Sequence, residues 1–255
     1  MKRILTFILT LTLALSFCVN SFAAATTATA SKTQTGTSEA QTDTSKTQAD
    51  TSEAQTDTSK VQAGASYGIS NLNGAPDIVA ESAVVMDANT GTILYGKEAD
   101  TKRYPASITK VMTALLAVEN CKMSDVITYS NAAVNGIEAG SSTAGINVGA
   151  KLTVEDSLYA LMLVSANEAA AAIAEHISGS TTEFAKLMTK RAKELGCTNT
   201  QFKNPHGLPN EEHYTTAHDM GLILKEAMKH EEFRKISGTI SYTLKKSDTL
   251  KDTLE

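Results

Sequence analysis

Tryptophan is missing altogether from the 255 residues, proline occurs four times and cysteine three times. So few cysteines exclude the disulfide framework that holds many small secreted domains together. No basic cluster follows the first few residues and the net charge is -5, which argues against nucleic acid as a partner. Long apolar runs are scarce as well. The longest, Ile4 to Phe17, falls short of the roughly 20 residues that a membrane-spanning helix requires. It follows Lys2 and Arg3 and leads into Ser21, Ala23, Ala24 and Ala25. That is the build of a secretory signal peptide over residues 1–25, with cleavage expected after Ala23 or Ala25. Lipid attachment at Cys18 is disfavoured by the bulky Phe17 before it. The mature chain is therefore expected outside the cytoplasm, where Cys121 and Cys197 either form one bridge or remain two buried thiols.

Residues 26–66 lack almost every residue type from which a core is made. Val61 is the lone large aliphatic residue and there is no aromatic. The 14 residues Thr37–Asp50 recur as Thr51–Gly64 with two changes. A segment of Thr, Ser, Ala, Gln and scattered charge buries too little apolar surface to offset the entropy of ordering it, and two such copies are too few for a solenoid. The expectation is a disordered spacer.

Residues 67–255 carry the patterns of one folded domain. Ser82–Asp87 and Thr92–Tyr95, separated by Asn89-Thr90-Gly91, predict a β-hairpin. Helical spacing follows from Ser107 to Glu119, with Val111, Ala114, Leu115 and Val118 on one face. Thr153, Ser180 and Thr216 each precede an acidic residue by three positions, which predicts helix starts. These helices should turn inward Leu158, Leu161 and Met162; Phe184, Leu187, Met188 and Leu195; and Met220, Ile223, Leu224 and Met228. An Ala-rich helix is expected over Asn167–Ile177, and Thr239–Leu244 alternates like a strand. Strands at both ends around a helical block predict an α+β fold whose terminal strands share one antiparallel sheet.

Chemistry concentrates in Tyr104-Pro-Ala-Ser-Ile-Thr-Lys110. Ser107 and Lys110 are three apart and share a helical face with Val111, Ala114 and Leu115. Burial lowers a lysine's pKa, and a neutral amine beside a hydroxyl can take its proton. Ser107 is thus the candidate nucleophile and Lys110 its base. The competing reading is a helix start capped by Ser107, with Lys110 extended to water. A second segment, Ser165-Ala-Asn167, lies 58 positions after Ser107 between two helices. There Ser165 could relay a proton and Asn167 could hold a carbonyl or the Lys110 amine; the alternative is a polar turn capping the next helix. His206, His213 and His218 lack the spacing of a helical metal pair, so neither metal nor cofactor is expected. Asp219 reads as a helix-start residue.

Pro105-Ala-Ser-Ile-Thr-Lys110 followed by Ser165-Ala-Asn167 resembles the low-molecular-mass penicillin-binding proteins, specifically the serine D-Ala-D-Ala carboxypeptidases. The resemblance runs from about Ala80 onward through Asp87–Tyr95, Gly140–Ser142, Thr153–Asp156, Asn204–Leu208 and Tyr214–Met220. It implies a β-lactamase/transpeptidase-like fold and a Ser107 acyl-enzyme that removes the terminal D-alanine from peptidoglycan stem pentapeptides in cell-wall biosynthesis and remodelling. It also implies β-lactams as covalent inhibitors, and a place at the cell wall or the outer face of the cytoplasmic membrane. The family's third motif, Lys-Thr-Gly, is absent, which implies a C-terminally incomplete chain that can be inactive on its own. A missing C-terminal segment could also supply a peripheral membrane contact. Glu168 stands where the family usually has Asp, a change expected to matter little. Two other readings compete: a class A-like β-lactamase, which lacks its Ser-Asp-Asn here, and a catalytically silent wall-binding module.

Overall fold

The computed structural model describes residues 78–244. The expected signal peptide, the repeat segment and the start and end of the folded domain lie outside the described residues. The first element is the expected hairpin, β1 (Ala83–Met86) paired antiparallel with β2 (Ile93–Lys97), with a register shift between Val85 and Met86. Its turn is closed by Asp87, whose Oδ1 accepts from the Asn89 and Thr90 amides and from the Thr90 hydroxyl.

A 3-10 turn (Ala106–Thr109) then leads into α1 (Lys110–Asn120). This helix packs against four others: α3 (Val154–Leu163), α4 (Asn167–Ser178), α6 (Ala217–Ala227) and α7 (Glu231–Ser237). It also touches α5 (Thr181–Glu194). Burial is correspondingly wider than one stripe. Ala114 and Leu115 are buried as expected, but so are Met112, Leu116 and Ala117 on the remaining faces, while Val111 and Val118 are only partly buried. An enclosed helix carries no amphipathic signature. A second two-stranded sheet, β3 (Val126–Thr128) with β4 (Lys151–Thr153), packs against α3 and α4, and the short α2 (Asn131–Asn135) against α4. None of the described helices is long and apolar enough to cross a membrane.

The three expected helix starts all form. The hydroxyls of Thr153, Ser180 and Thr216 accept the amides of Asp156, Glu183 and Asp219, each cap contributing about 1 kcal/mol. Asp219 does more than open α6, since its buried carboxylate also accepts the Asn199 amide and the Thr200 hydroxyl. In α6 the inward stripe differs from expectation. Met220, Ile223 and Ala227 are buried, but Leu224 and Met228 are 44% and 40% exposed. The helix turns its small residues to its neighbours: a Cβ on Gly221 would lie 3.1 Å from Val84 Cγ1 and 3.2 Å from Met86 Cε of β1.

The α+β arrangement holds, but Thr239–Leu244 is not a strand. Ser241–Thr243 has no regular structure, and only Leu244 carries a bridge. Tyr242 is drawn onto α3 instead, stacking on Tyr159 at 3.7 Å and donating to Asp156 at 2.7 Å. A sheet shared by N- and C-terminal strands is therefore not seen among the described residues. Cys121 and Cys197 are both free thiols, which settles the choice between a bridge and two thiols.

Candidate active site

Pro105 fixes the chain just ahead of the 3-10 turn, and Ala106 sits in the left-handed region at φ 48°. In a 3-10 turn residues i and i+3 eclipse, so Ser107 stands directly over Lys110. Ser107 caps neither the turn nor α1, and its side of the turn is exposed. Lys110, by contrast, is 3% exposed. Its Nζ donates to Ser107 Oγ at 3.3 Å, to Asn167 Oδ1 at 2.7 Å and to the His206 carbonyl at 2.9 Å. The reading in which Lys110 extends to water is thereby excluded. Desolvation presses its pKa down to about 8, and the Glu168 charge pulls the other way. The amine is thus neutral in a usable fraction near neutral pH, and in that form its lone pair can accept the Ser107 proton.

The second segment reaches the same place from α4. Asn167 is buried, its amide N–H donates to the Ser142 carbonyl, and its side chain turns to Lys110 rather than capping the helix. Ser165 sits on the same turn in the left-handed region at φ 58°, a strained conformation for a residue with a Cβ. Its hydroxyl is buried with no hydrogen-bond partner among the described residues. The structure therefore joins Ser107, Lys110 and Asn167 directly. The Ser165 hydroxyl is left on the adjoining turn, bonded to neither Ser107 nor Lys110.

A third segment completes the floor. Asn204 Oδ1 gathers the His206 and Gly207 amides, and its Nδ2 donates to the Leu208 carbonyl. The resulting loop lays two carbonyls on α1, Pro205 against the Thr113 hydroxyl and His206 against Lys110. Gly207, at φ 89°, passes so close to the Ala106 carbonyl that no Cβ fits. His213 holds the loop from behind. Its Nδ1 accepts the Lys203 amide, which leaves Nε2 to donate to Thr109 Oγ1 at 2.9 Å. Burial depresses both His206 and His213 to about 4, so neither carries charge at neutral pH. These histidines have separate structural partners, and His218 pairs with Asp100 across 3.0 Å. Tyr104 and Ala106, just before Ser107, line a cavity of about 440 Å³ with Gly207, Pro209, Asn210 and Glu211.

The sequence singled out Asn204–Leu208 only as part of the shared pattern. It did not reveal that a backbone carbonyl from this loop binds the lysine, because a carbonyl has no side-chain signature. The surroundings of Glu168 were not legible either. It is 1% exposed, and its Oε1 accepts from Thr143 Oγ1 and the Ala144 amide, both at 2.7 Å.

The chain is similar in sequence and fold to known proteins. The D-alanyl-D-alanine carboxypeptidase family model matches residues 69–254. The D-alanyl-D-alanine carboxypeptidase DacF of Bacillus subtilis is 44% identical over 165 residues, covering 63% of this chain and 42% of that protein. The crystal structure of the Streptomyces K15 DD-transpeptidase aligns with a TM-score of 0.66 at 35% identity, covering 71% of this chain and 75% of that one. Penicillin binding protein 5 from Haemophilus influenzae aligns at 0.60 with 33% identity, covering 64% and 49%. The chain spans well under half of its first curated relatives, 42% of DacF and 39% of the Haemophilus influenzae DacA. On the match over residues 69–254, the chain belongs to the D-alanyl-D-alanine carboxypeptidase family.

Proposed function

We propose that the protein is an exported serine-type D-Ala-D-Ala carboxypeptidase that removes the terminal D-alanine from peptidoglycan stem pentapeptides at the outer face of the cell. The observation that carries this reading is the buried Lys110 amine, bonded at once to Ser107 Oγ and Asn167 Oδ1. Ser107 Oγ attacks the carbonyl of the penultimate D-alanine and its proton passes to Lys110 Nζ. The C–N bond then breaks and D-alanine leaves with a proton returned from the amine side of the site. Water, deprotonated in turn by Lys110, releases the shortened peptide from Ser107. Asn167 holds Lys110 in line, and Ser165 is the candidate relay to the leaving nitrogen. A β-lactam presents a strained amide to the same serine and remains attached as an ester.

The test is labelling by a fluorescent penicillin, together with D-alanine release from a synthetic pentapeptide, on the protein translated from its full reading frame. Label on Ser107 that disappears in Ser107→Ala, with D-alanine released only by the parent, is the expected result. Label that persists in Ser107→Ala, or no D-alanine release from the parent, would remove the assignment.

A further inference from the structure

The Ser107–Lys110 pair has a buried acidic neighbour that the steps above do not use. Glu168 follows Asn167 in the first turn of α4. Its Oε1 accepts the Thr143 hydroxyl and the Ala144 amide, with a longer bond from the Ile146 amide at 3.4 Å. Oε2 is also buried but has no hydrogen-bond partner among the described residues, a costly arrangement for a carboxylate. Hydrogen bonding alone does not call for that second oxygen, because a glutamine carbonyl would hold the same donors. What a neutral side chain would not provide is a negative charge acting on the Lys110 amine, which is held by the preceding residue, Asn167.

We propose that Glu168 is a positioning residue for acylation: its charge stabilises the ammonium form of Lys110, and its Oε1 pins the loop of residues 143–146 against the start of α4. The inference rests on the reading of Ser107 as nucleophile and Lys110 as base. The other groups facing Lys110 carry no compensating charge. Ser107 comes from the 3-10 turn and Asn167 from α4; His206 comes from the 204–208 loop, with His213 behind it. Both rings are neutral, their pKa values held near 4 chiefly by burial. The effect of Glu168 on Lys110 runs against that of burial.

The charge matters when the Ser107 Oγ–carbon bond forms. The carbonyl π electrons move to oxygen, the Oγ proton moves to Nζ, and a neutral amine becomes an ammonium in a dry site. Glu168 exchanges no proton in this step. The ammonium later gives its proton to the departing nitrogen. Only the neutral amine is active at the outset, so the acylation rate rises with pH through the Lys110 pKa. Removing a neighbouring negative charge lowers that pKa and moves the acidic limb to lower pH. It also lowers the plateau, because the new ammonium is less stabilised. A purely structural clamp would lower the plateau and leave the midpoint in place.

Second-order acylation by a fluorescent penicillin, followed from about pH 5 to 10, separates the two. In E168Q the midpoint is expected to fall by at least about half a pH unit and the plateau by about 10-fold. E168M supplies a second neutral side chain should the amide disturb the loop. E168D, which keeps the charge, and T143A, which removes only a neutral hydrogen bond, should both keep the parent's midpoint. A parent-like midpoint in the neutral variants, or a shift in T143A as large as that in E168Q, would overturn the proposal. A parent protein that takes no Ser107-dependent label overturns the nucleophile reading and this inference with it, so the two failures are told apart in different samples.

Discussion

Lys110 is buried to 3% exposure beside a serine that faces solvent, and the contrast defines what each can do. The hydroxyl is open to solvent while the amine is kept from water. Lys110→Met fills a similar volume without a basic nitrogen. Acylation by penicillin is expected to fall by about 10²–10⁴-fold, the range for loss of a general base. The melting temperature should change by no more than about 5 °C, because relief of the buried charge offsets the unpaired Asn167 and His206 acceptors. In the parent, the acylation rate should rise with pH up to about 8, where Lys110 loses its proton, and level off above. A rate in Lys110→Met within a factor of about ten of the parent would remove Lys110 from the chemistry. How much of this was legible depends on the range of each contact. Ser107 and Lys110 are three positions apart, so local geometry placed them together. Asn167 meets Lys110 across 57 positions, a distance that spacing cannot bridge; the polar turn between two helices offered it as one option, and the resemblance of Ser165-Ala-Asn167 to a known motif strengthened it. The bond between Thr109 and His213, 104 positions apart, left no trace in the sequence, and His213 was weighed there only as a metal ligand.

The elements that local chemistry encodes were readable, and those shaped by enclosure were not. Helix starts at Thr153, Ser180 and Thr216 follow from a hydroxyl reaching an amide three residues on, which any sequence can display. The burial of α1 beyond a single stripe follows from neighbours that arrive much later in the chain. The irregular course of 239–244 follows from Tyr242 finding Tyr159 and Asp156. The 204–208 loop lies between these cases: its shared pattern was legible, its destination was not. Gly207 is its critical residue, because a positive φ and the adjoining Ala106 carbonyl both exclude a side chain. Gly207→Ala must displace either the loop or the 3-10 turn that carries Ser107. The expected result is a loss of stability of about 1–3 kcal/mol in urea unfolding, together with a larger fractional loss of acylation than the same destabilisation produces elsewhere. A comparable change at the end of α4 opposite Asn167, Gly179→Ala at a positive-φ C-cap, should lower stability and leave the acylation rate of the folded fraction unchanged. Equal acylation rates for the two folded variants would show that the loop does not set the nucleophile's position.

At the scale of the whole molecule, the interior joins apolar packing to a buried polar seam, and the seam sets how the fold responds to acid. His213 is 2% exposed and links the backbone at Lys203 to Thr109 beside the catalytic turn. Its ring is bonded as the neutral form, with Nδ1 accepting, and burial depresses its pKa from 6.5 to about 4. His206 shifts the same way from 6.5 to about 4. A histidine with a depressed folded-state pKa binds its proton more readily when unfolded. Its contribution to stability is therefore complete above about pH 6.5 and is lost as pH falls toward about 4. The His213 shift corresponds to on the order of 3 kcal/mol, a sizeable part of the 5–15 kcal/mol typical of a domain. Half-buried carboxylates such as Glu226, whose pKa is lowered mainly by its Lys229 hydrogen bond, weaken the fold over a lower pH range in both proteins of a comparison and so cancel. His213→Asn retains an acceptor for the Lys203 amide but gives up the bond to Thr109. It should be less stable than the parent by about 1 kcal/mol near neutral pH, yet lose less on acidification, so that urea midpoints converge or cross between about pH 6 and 4. Parallel midpoint curves over that interval would mean that protonation of His213 plays no part in acid unfolding, and that the seam at Thr109 survives with a charged ring inside it.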